Sequence, residues 1–187
     1  EHDIPIIADE IQSGVGRTGE MWAVDHYDIE PDVITSAKAL RVGATVSRSD
    51  IFPSETSRLS STWGAGDILG SMRGALTLAA IEDHNLLDNA AKRGTYFIDG
   101  LRDVSADRQM VEDVRGLGLM TALEFDTVER RDAVMDTAVQ HGLLTLGCGQ
   151  KSLRLLPPLD VTERELDLCL DILDSVFPEV AGAEASG

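Results

Sequence analysis

The sequence predicts an α/β unit followed by a smaller α+β unit, and three observations carry that prediction. Two short apolar runs, Pro5-Ile6-Ile7-Ala8-Asp9-Glu10 and Asp32-Val33-Ile34-Thr35-Ser36-Ala37-Lys38, read as buried strands with a charge at the mouth of each. Two helical segments rich in small residues follow, over about Asp67–His84 and Leu86–Leu101. After the polar stretch Asp103–Asp107 the pattern changes to glycine-punctuated strand runs and two further helices. The expected organisation is 1–104 for the large unit with its connecting helix, 105–180 for the small unit, and 181–187 for a disordered tail.

Each element has its own signal. Residues 4–8 form the first strand, and Gly14, Gly16 and Gly19 make the following segment a tight polar loop with Arg17 as a structural ion-pair partner. Those glycines lack the spacing and the long following helix of a dinucleotide fingerprint. Met21–His26 reads as a short helical turn, Gly43–Arg48 as another strand, and 50–62 as a loop. Gly70 and Gly74 cost helix propensity, so the helix that holds them is expected to pack closely against another backbone. Leu87, Ala90, Ala91, Gly94 and Phe97 mark the buried side of the next helix.

Met110–Phe125 predicts a strand or hairpin with glycines at the bend, and Glu129–His141 a helix closed by Gly142. Short strands are expected at Leu143–Leu146 and Ser152–Leu156, the second stopped by Pro157-Pro158. The last helix is the best-determined element. Thr162 caps it, Glu165 closes a capping box, and Leu166, Cys169, Leu170, Leu173 and Phe177 form its apolar stripe.

Composition narrows the function. The chain has 187 residues, 43% of them hydrophobic, enough for a sizeable core. A net charge of −17 argues against nucleic acid, whose phosphates it would repel. Excess acid, three lysines against thirteen arginines and few aromatics suit a protein that stays soluble in high salt, or simply an acidic cytoplasmic enzyme. No stretch approaches a membrane span or a signal peptide, and a membrane partner is not expected. Cys148 and Cys169 show neither metal-ligand nor disulfide spacing and are expected reduced, with Cys169 buried. His26, His84 and His141 have no metal-ligand spacing. The chain opens without Met on a buried-looking strand, which reads as the C-terminal portion of a longer protein.

Lys38 is the residue with the most chemistry. A lysine and a carboxylate, Asp9, at the ends of two strands are what a pyridoxal phosphate site needs. The amine holds the aldehyde as an imine, and the carboxylate keeps the pyridine nitrogen protonated. By pattern alone Lys38 also reads as a solvated strand end, and Asp9 and Glu10 as an ordinary charged terminus.

The pieces in order decide between those readings. Asp9-Glu10-Ile11-Gln12-Ser13-Gly14-Val15-Gly16-Arg17-Thr18-Gly19, Pro31-Asp32, Ala37-Lys38, Val114-Arg115-Gly116-Leu117-Gly118 and Arg154-Leu155-Leu156-Pro157-Pro158-Leu159 together resemble the class III aminotransferases. This is the ornithine, acetylornithine and 4-aminobutyrate group, and the resemblance covers nearly the whole chain. It implies the fold type I architecture of pyridoxal-phosphate-dependent transferases and a homodimer with its active site at the interface. It also implies transfer of an amino group from an amine or ω-amino acid to a 2-oxo acid. By resemblance Asp9 pairs with the pyridine nitrogen, Gln12 lies beside the phenolic oxygen, and Lys38 forms the imine and then shuttles the proton. Thr62 matches a threonine that contacts cofactor phosphate across the dimer, and Arg154 a small-domain arginine that receives a substrate carboxylate. Arg115 reads as structural.

The departures are local. Ala39-Leu40-Arg41-Val42-Gly43-Ala44-Thr45 stands where many members have several glycines and a proline, and Gly64-Ala65-Gly66-Asp67 replaces Gly-Asn-Pro. The family's phosphate-binding loop and ring-stacking aromatic would lie upstream of Glu1, so this stretch alone is expected to be inactive. An aminomutase or decarboxylase on the same scaffold, or a non-catalytic remnant, are the competing expectations.

Overall fold

The computed structural model describes residues 4–55 and 67–184. The chain divides into two compact units, Glu1–Leu87 and Asp88–Gly187.

The first unit holds a three-stranded sheet in the order β1-β2-β3, from β1 (Ile7–Asp9), β2 (Val33–Ser36) and β3 (Ala44–Ser47). β1 and β2 run parallel with Asp9 opposite Thr35, and β3 returns antiparallel. Asp32 sets this register. Its carboxylate accepts the Ile6 N–H at 2.8 Å while its own N–H donates to the Ile6 carbonyl at 2.9 Å. Arg48 completes the clamp at 3.2 Å from the same carboxylate. β1 departs from the expected burial. It is an edge strand, with Ile7 65% exposed and only Ala8 of its three residues buried.

The loop after β1 turns around Glu10, which is buried and accepts from the Ser13 hydroxyl at 2.5 Å and the Val24 N–H at 2.9 Å. Gly14 is required there, since a Cβ would lie 2.7 Å from the Trp22 ring and 2.8 Å from the Glu10 carbonyl. Burial of Arg17 draws its guanidinium pKa below the ordinary value. A 3₁₀ turn follows at Ala23–His26.

α1 (Ile68–Asp83) is capped by the Asp67 side chain, which accepts the Leu69 N–H at 3.1 Å. Its glycines do what their cost suggests. A Cβ on Gly74 would meet the Leu40 carbonyl at 3.3 Å and Val42 at 3.2 Å, so the helix lies directly on the turn that follows Lys38.

The second unit is a four-stranded antiparallel sheet in the order β4-β5-β7-β6. Its strands are β4 (Val111–Leu117), β5 (Met120–Phe125), β6 (Leu146–Cys148) and β7 (Ser152–Leu155). With it go α2 (Leu86–Ser105), α3 (Val128–Gln140) and α4 (Glu163–Glu184). Strict alternation on β5 buries Thr121, Leu123 and Phe125. Leu153 and Leu155 join them, and the core is completed by Phe97, Leu101, Val134, Leu166, Leu173, Val176 and Phe177 from the helices. Phe125 and Phe177 meet edge to face at 6.3 Å. Each such buried phenylalanine is worth about 3–5 kcal/mol against alanine.

Three boundaries and one helix-face assignment differ from the sequence reading. Apart from its first two residues α2 belongs to the second unit, where Ala90, Phe97 and Leu101 face the small-unit core, so the division falls at Leu87/Asp88 and not near 104. Ala91, expected on the buried side, is exposed. β6 is displaced to Leu146–Cys148 and holds Gly147 because the Arg131 guanidinium crosses there, 2.6 Å from where a Cβ would stand. α4 continues through Ala181 and Ala183 to Glu184, where a disordered tail was expected from 181. The capping box is present, with Thr162 N–H donating to Glu165 at 2.8 Å and Glu165 N–H to the Thr162 hydroxyl at 3.3 Å. The Thr162 N–H bond, with the hydroxyl second, holds the Glu165 carboxyl below its usual pKa.

Cys148 and Cys169 are free thiols. Cys169 is half-buried, and desolvation pushes its thiol up to about 12. Alkylation with iodoacetamide at pH 8 should therefore modify Cys148 and spare Cys169 until denaturant is added, as peptide mass spectrometry would read. The raised value also fixes a sign. Between about 9 and 12 the folded state binds this proton and the unfolded state does not, so stability falls as pH rises through that window. Equal labelling of both cysteines in the native protein would contradict the burial.

Candidate active site

Lys38 and Asp9 are placed by one local arrangement. β1 ends at Asp9, and β2 ends at Ser36, two residues before Lys38. The strands are parallel and adjacent, so both residues stand at the same, carboxyl end of the sheet, where open α/β folds bind ligands. Both side chains are exposed.

The Asp9 carboxylate is asymmetric. Oδ1 accepts the Ile11 N–H at 3.1 Å and the Thr35 hydroxyl at 3.3 Å, while Oδ2 accepts no hydrogen bond among the described residues. One oxygen is thus tied to the chain and the other is open to a donor outside it. Thr35, directly across the ladder from Asp9, orients that carboxylate. A sequence cannot reveal this, because the pairing depends on a parallel register between strands more than twenty residues apart. Glu10 is excluded from the chemistry by its burial and its two internal bonds. Gln12 is half-buried in the turn just past Asp9. Thr62 lies outside the described residues.

Lys38 lines an open depression with Ala37, Arg41, Val42 and Arg73. The turn is closed by the Arg41 N–H on the Lys38 carbonyl at 3.3 Å, and Arg41 takes φ +60° there. Neither arginine was marked by the sequence patterns.

Arg154 belongs to the second unit, on β7, with Ala122 of β5 on one side and Leu146 of β6 on the other. Leu153 and Leu155 point into the core, which leaves half-buried Arg154 on the opposite face of the sheet. Arg115 shares that face and is held by Asp113 at 2.9 Å, Glu124 at 2.7 Å and the Ser152 hydroxyl at 3.1 Å. Bonds from Ser152 and then Arg115 lower the Glu124 carboxyl, and Glu124 and Asp113 raise the Arg115 guanidinium. This network makes Arg115 structural. Among the described residues no cluster could hold a metal ion, and no helix is long and apolar enough to cross a membrane.

The family model for class III aminotransferases matches residues 1–177. The chain belongs to that family. A class III relative from Caldanaerobacter subterraneus, an acetylornithine aminotransferase, is 36% identical over 184 residues, covering 96% of this chain and 46% of its own length. An L-lysine-epsilon aminotransferase from Amycolatopsis lactamdurans is 38% identical over 182 residues, covering 92% and 40%. The solved lysine aminotransferase from M. tuberculosis superposes with a TM-score of 0.88 at 33% identity, over 95% of this chain and 42% of that one. The fold is therefore the α/β fold type I architecture of this class III family. This class III chain spans less than half the length of these relatives.

Proposed function

We propose that the protein is a pyridoxal-phosphate-dependent transaminase that moves an amino group from an amine or ω-amino acid, 4-aminobutyrate-like or ornithine-like, to a 2-oxo acid. The observation that carries this reading is the placement of Lys38 and Asp9 at the carboxyl ends of adjacent parallel strands, with one Asp9 oxygen open. Family membership supports it.

The residues fit the cofactor. Asp9 Oδ2 would accept a protonated ring nitrogen, and its negative charge would favour that proton through an ion pair. Thr35 and the Ile11 N–H keep the carboxylate from turning away. The Lys38 amine would anchor the aldehyde and, once released, carry a proton to and from the substrate carbon. When bound, the cofactor supplies a conjugated electron sink for the carbanion formed there. Gln12 would stand near the ring's phenolic oxygen, Thr62 would meet its phosphate from the second subunit of a homodimer, and Arg154 would hold the substrate carboxylate bidentately. We place the enzyme in the cytoplasm.

The test uses the complete natural reading frame. Incubation with pyridoxal phosphate, borohydride reduction and peptide mapping should put a pyridoxyl group on the Lys38 peptide and leave Lys38→Ala unmodified. Addition of 2-oxoglutarate should convert a suitable amine to its carbonyl product with formation of glutamate. Rearrangement without an oxo acid would indicate a mutase, and no covalent capture in the intact protein would end the transaminase reading.

A further inference from the structure

In a chain of net charge −17, cations without a carboxylate are scarce. Lys92 holds Asp88 at 2.7 Å and Lys151 holds Glu112 at 2.6 Å. Arg48, Arg102 and Arg108 hold Asp32, Asp99 and Asp174 at 3.1–3.2 Å, and Arg93, Arg115, Arg130 and Arg131 are paired as well. Arg17 and Arg154 have partners of their own, and among the described residues Lys38, Arg41, Arg73 and Arg164 have no carboxylate within ion-pair distance. Arg164 is exposed in the first turn of α4, beside Glu165. The other three line one depression.

That convergence is built by the fold. Gly70 and Gly74 let α1 settle on the turn after Lys38, and Arg73, next to Gly74, is carried to the turn's edge. Arg41 occupies a left-handed position at φ +60°, which is unfavourable for a residue with a Cβ. Three like charges held together without acid repel one another, and an anion between them relieves that repulsion. An acidic protein also repels anionic substrates at long range, so a local basic focus is needed to collect them.

We propose that Lys38, Arg41 and Arg73 form an oxyanion-binding subsite at the reactive lysine, taking a carboxylate or a phosphate. The inference rests on the transaminase reading for Lys38 and deepens it. Two sources offer this chemistry: the distal carboxylate of a dicarboxylic 2-oxo acid, and the cofactor's phosphate.

The complete natural protein, free of cofactor, would be titrated calorimetrically with inorganic phosphate, 2-oxoglutarate, 2-oxobutyrate and pyridoxal phosphate. The same series would be run on Arg41→Gly, Arg73→Ala and the double variant. Arg41→Gly removes the charge while relaxing the backbone, so the fold should be retained, and Tm checks this. Loss of a charge-assisted bond should weaken the bound anion about 10-fold or more. If the ligand group is the distal carboxylate, 2-oxoglutarate weakens while 2-oxobutyrate and pyridoxal phosphate hold. If it is the phosphate, inorganic phosphate and pyridoxal phosphate weaken together. A folded double variant that binds all four anions as the parent does would overturn the subsite. Borohydride capture at Lys38, followed in parallel, separates that outcome from failure of the transaminase reading itself.

Discussion

Replacing Gly94 with alanine should destabilise the second unit by about 3 kcal/mol or more, the upper range for overpacking. A Cβ at this position on α2 would lie 2.2 Å from the Gly118 carbonyl carbon, 2.3 Å from its oxygen and 2.4 Å from its Cα. Those are backbone atoms of the bend between β4 and β5, where Gly118 takes φ +52°. No side chain can swing aside to make room, so either the helix or the hairpin must move and the shared core opens. For a unit of this size such a loss lowers Tm on the order of 12–24 °C. Gly182→Ala is the control, because nothing lies within 4 Å of its added Cβ and alanine improves helix propensity. Thermal melts followed by circular dichroism decide the matter. If Gly94→Ala melts with Gly182→Ala, the close approach of α2 to the hairpin is wrong.

The second large effect belongs to Asp9→Ala. On the proposed reading, the carboxylate would stabilise a proton on the ring nitrogen, and its loss would weaken the ring as an electron sink. Removal of one preorganised electrostatic partner typically costs on the order of 10²–10³ in kcat. The loss should fall on kcat more than on KM, because on the proposed reading the carboxylate would meet the cofactor and not the substrate. Asp9→Asn should be nearly as poor, since it keeps the shape and the Thr35 contact but lacks the charge. Steady-state kinetics on the complete natural enzyme would check both. An Asp9→Asn enzyme with parental kcat would remove Asp9 from the chemistry.

How legible this was in advance differs by residue. Lys38 and Asp9 stand out as candidates because a charge that closes an apolar strand is a local signal, and order and spacing along the chain add to it. The Thr162–Glu165 box was legible for the same reason, its partners being three residues apart. Gly74 announced a close approach but not its partner, which proved to be the turn after Lys38. Thr35, Arg41 and Arg73 were silent, because their significance lies in a register and in a helix placement that only tertiary structure defines. The boundary between units was misplaced for a related reason. An amphipathic helix shows that one face is buried, yet Ala90, Phe97 and Leu101 do not say against which sheet. The continuation of α4 was missed because alanines and a glycine read equally as helix or as tail.

The place of α4 in the core has a consequence for synthesis. Leu166, Leu173, Val176, Phe177 and Val180 supply a large share of the cover over the sheet, and all arrive after every strand has been made. A nascent chain halted before residue 163 would carry β4, β5, β6 and β7 with Leu123, Phe125, Leu153 and Leu155 lacking the part of their cover that α4 supplies. Such a ribosome-bound intermediate offers an incompletely covered apolar sheet to chaperones and to neighbouring chains alike. Premature termination in this region should therefore yield aggregates and proteolysis in place of a shortened, soluble unit.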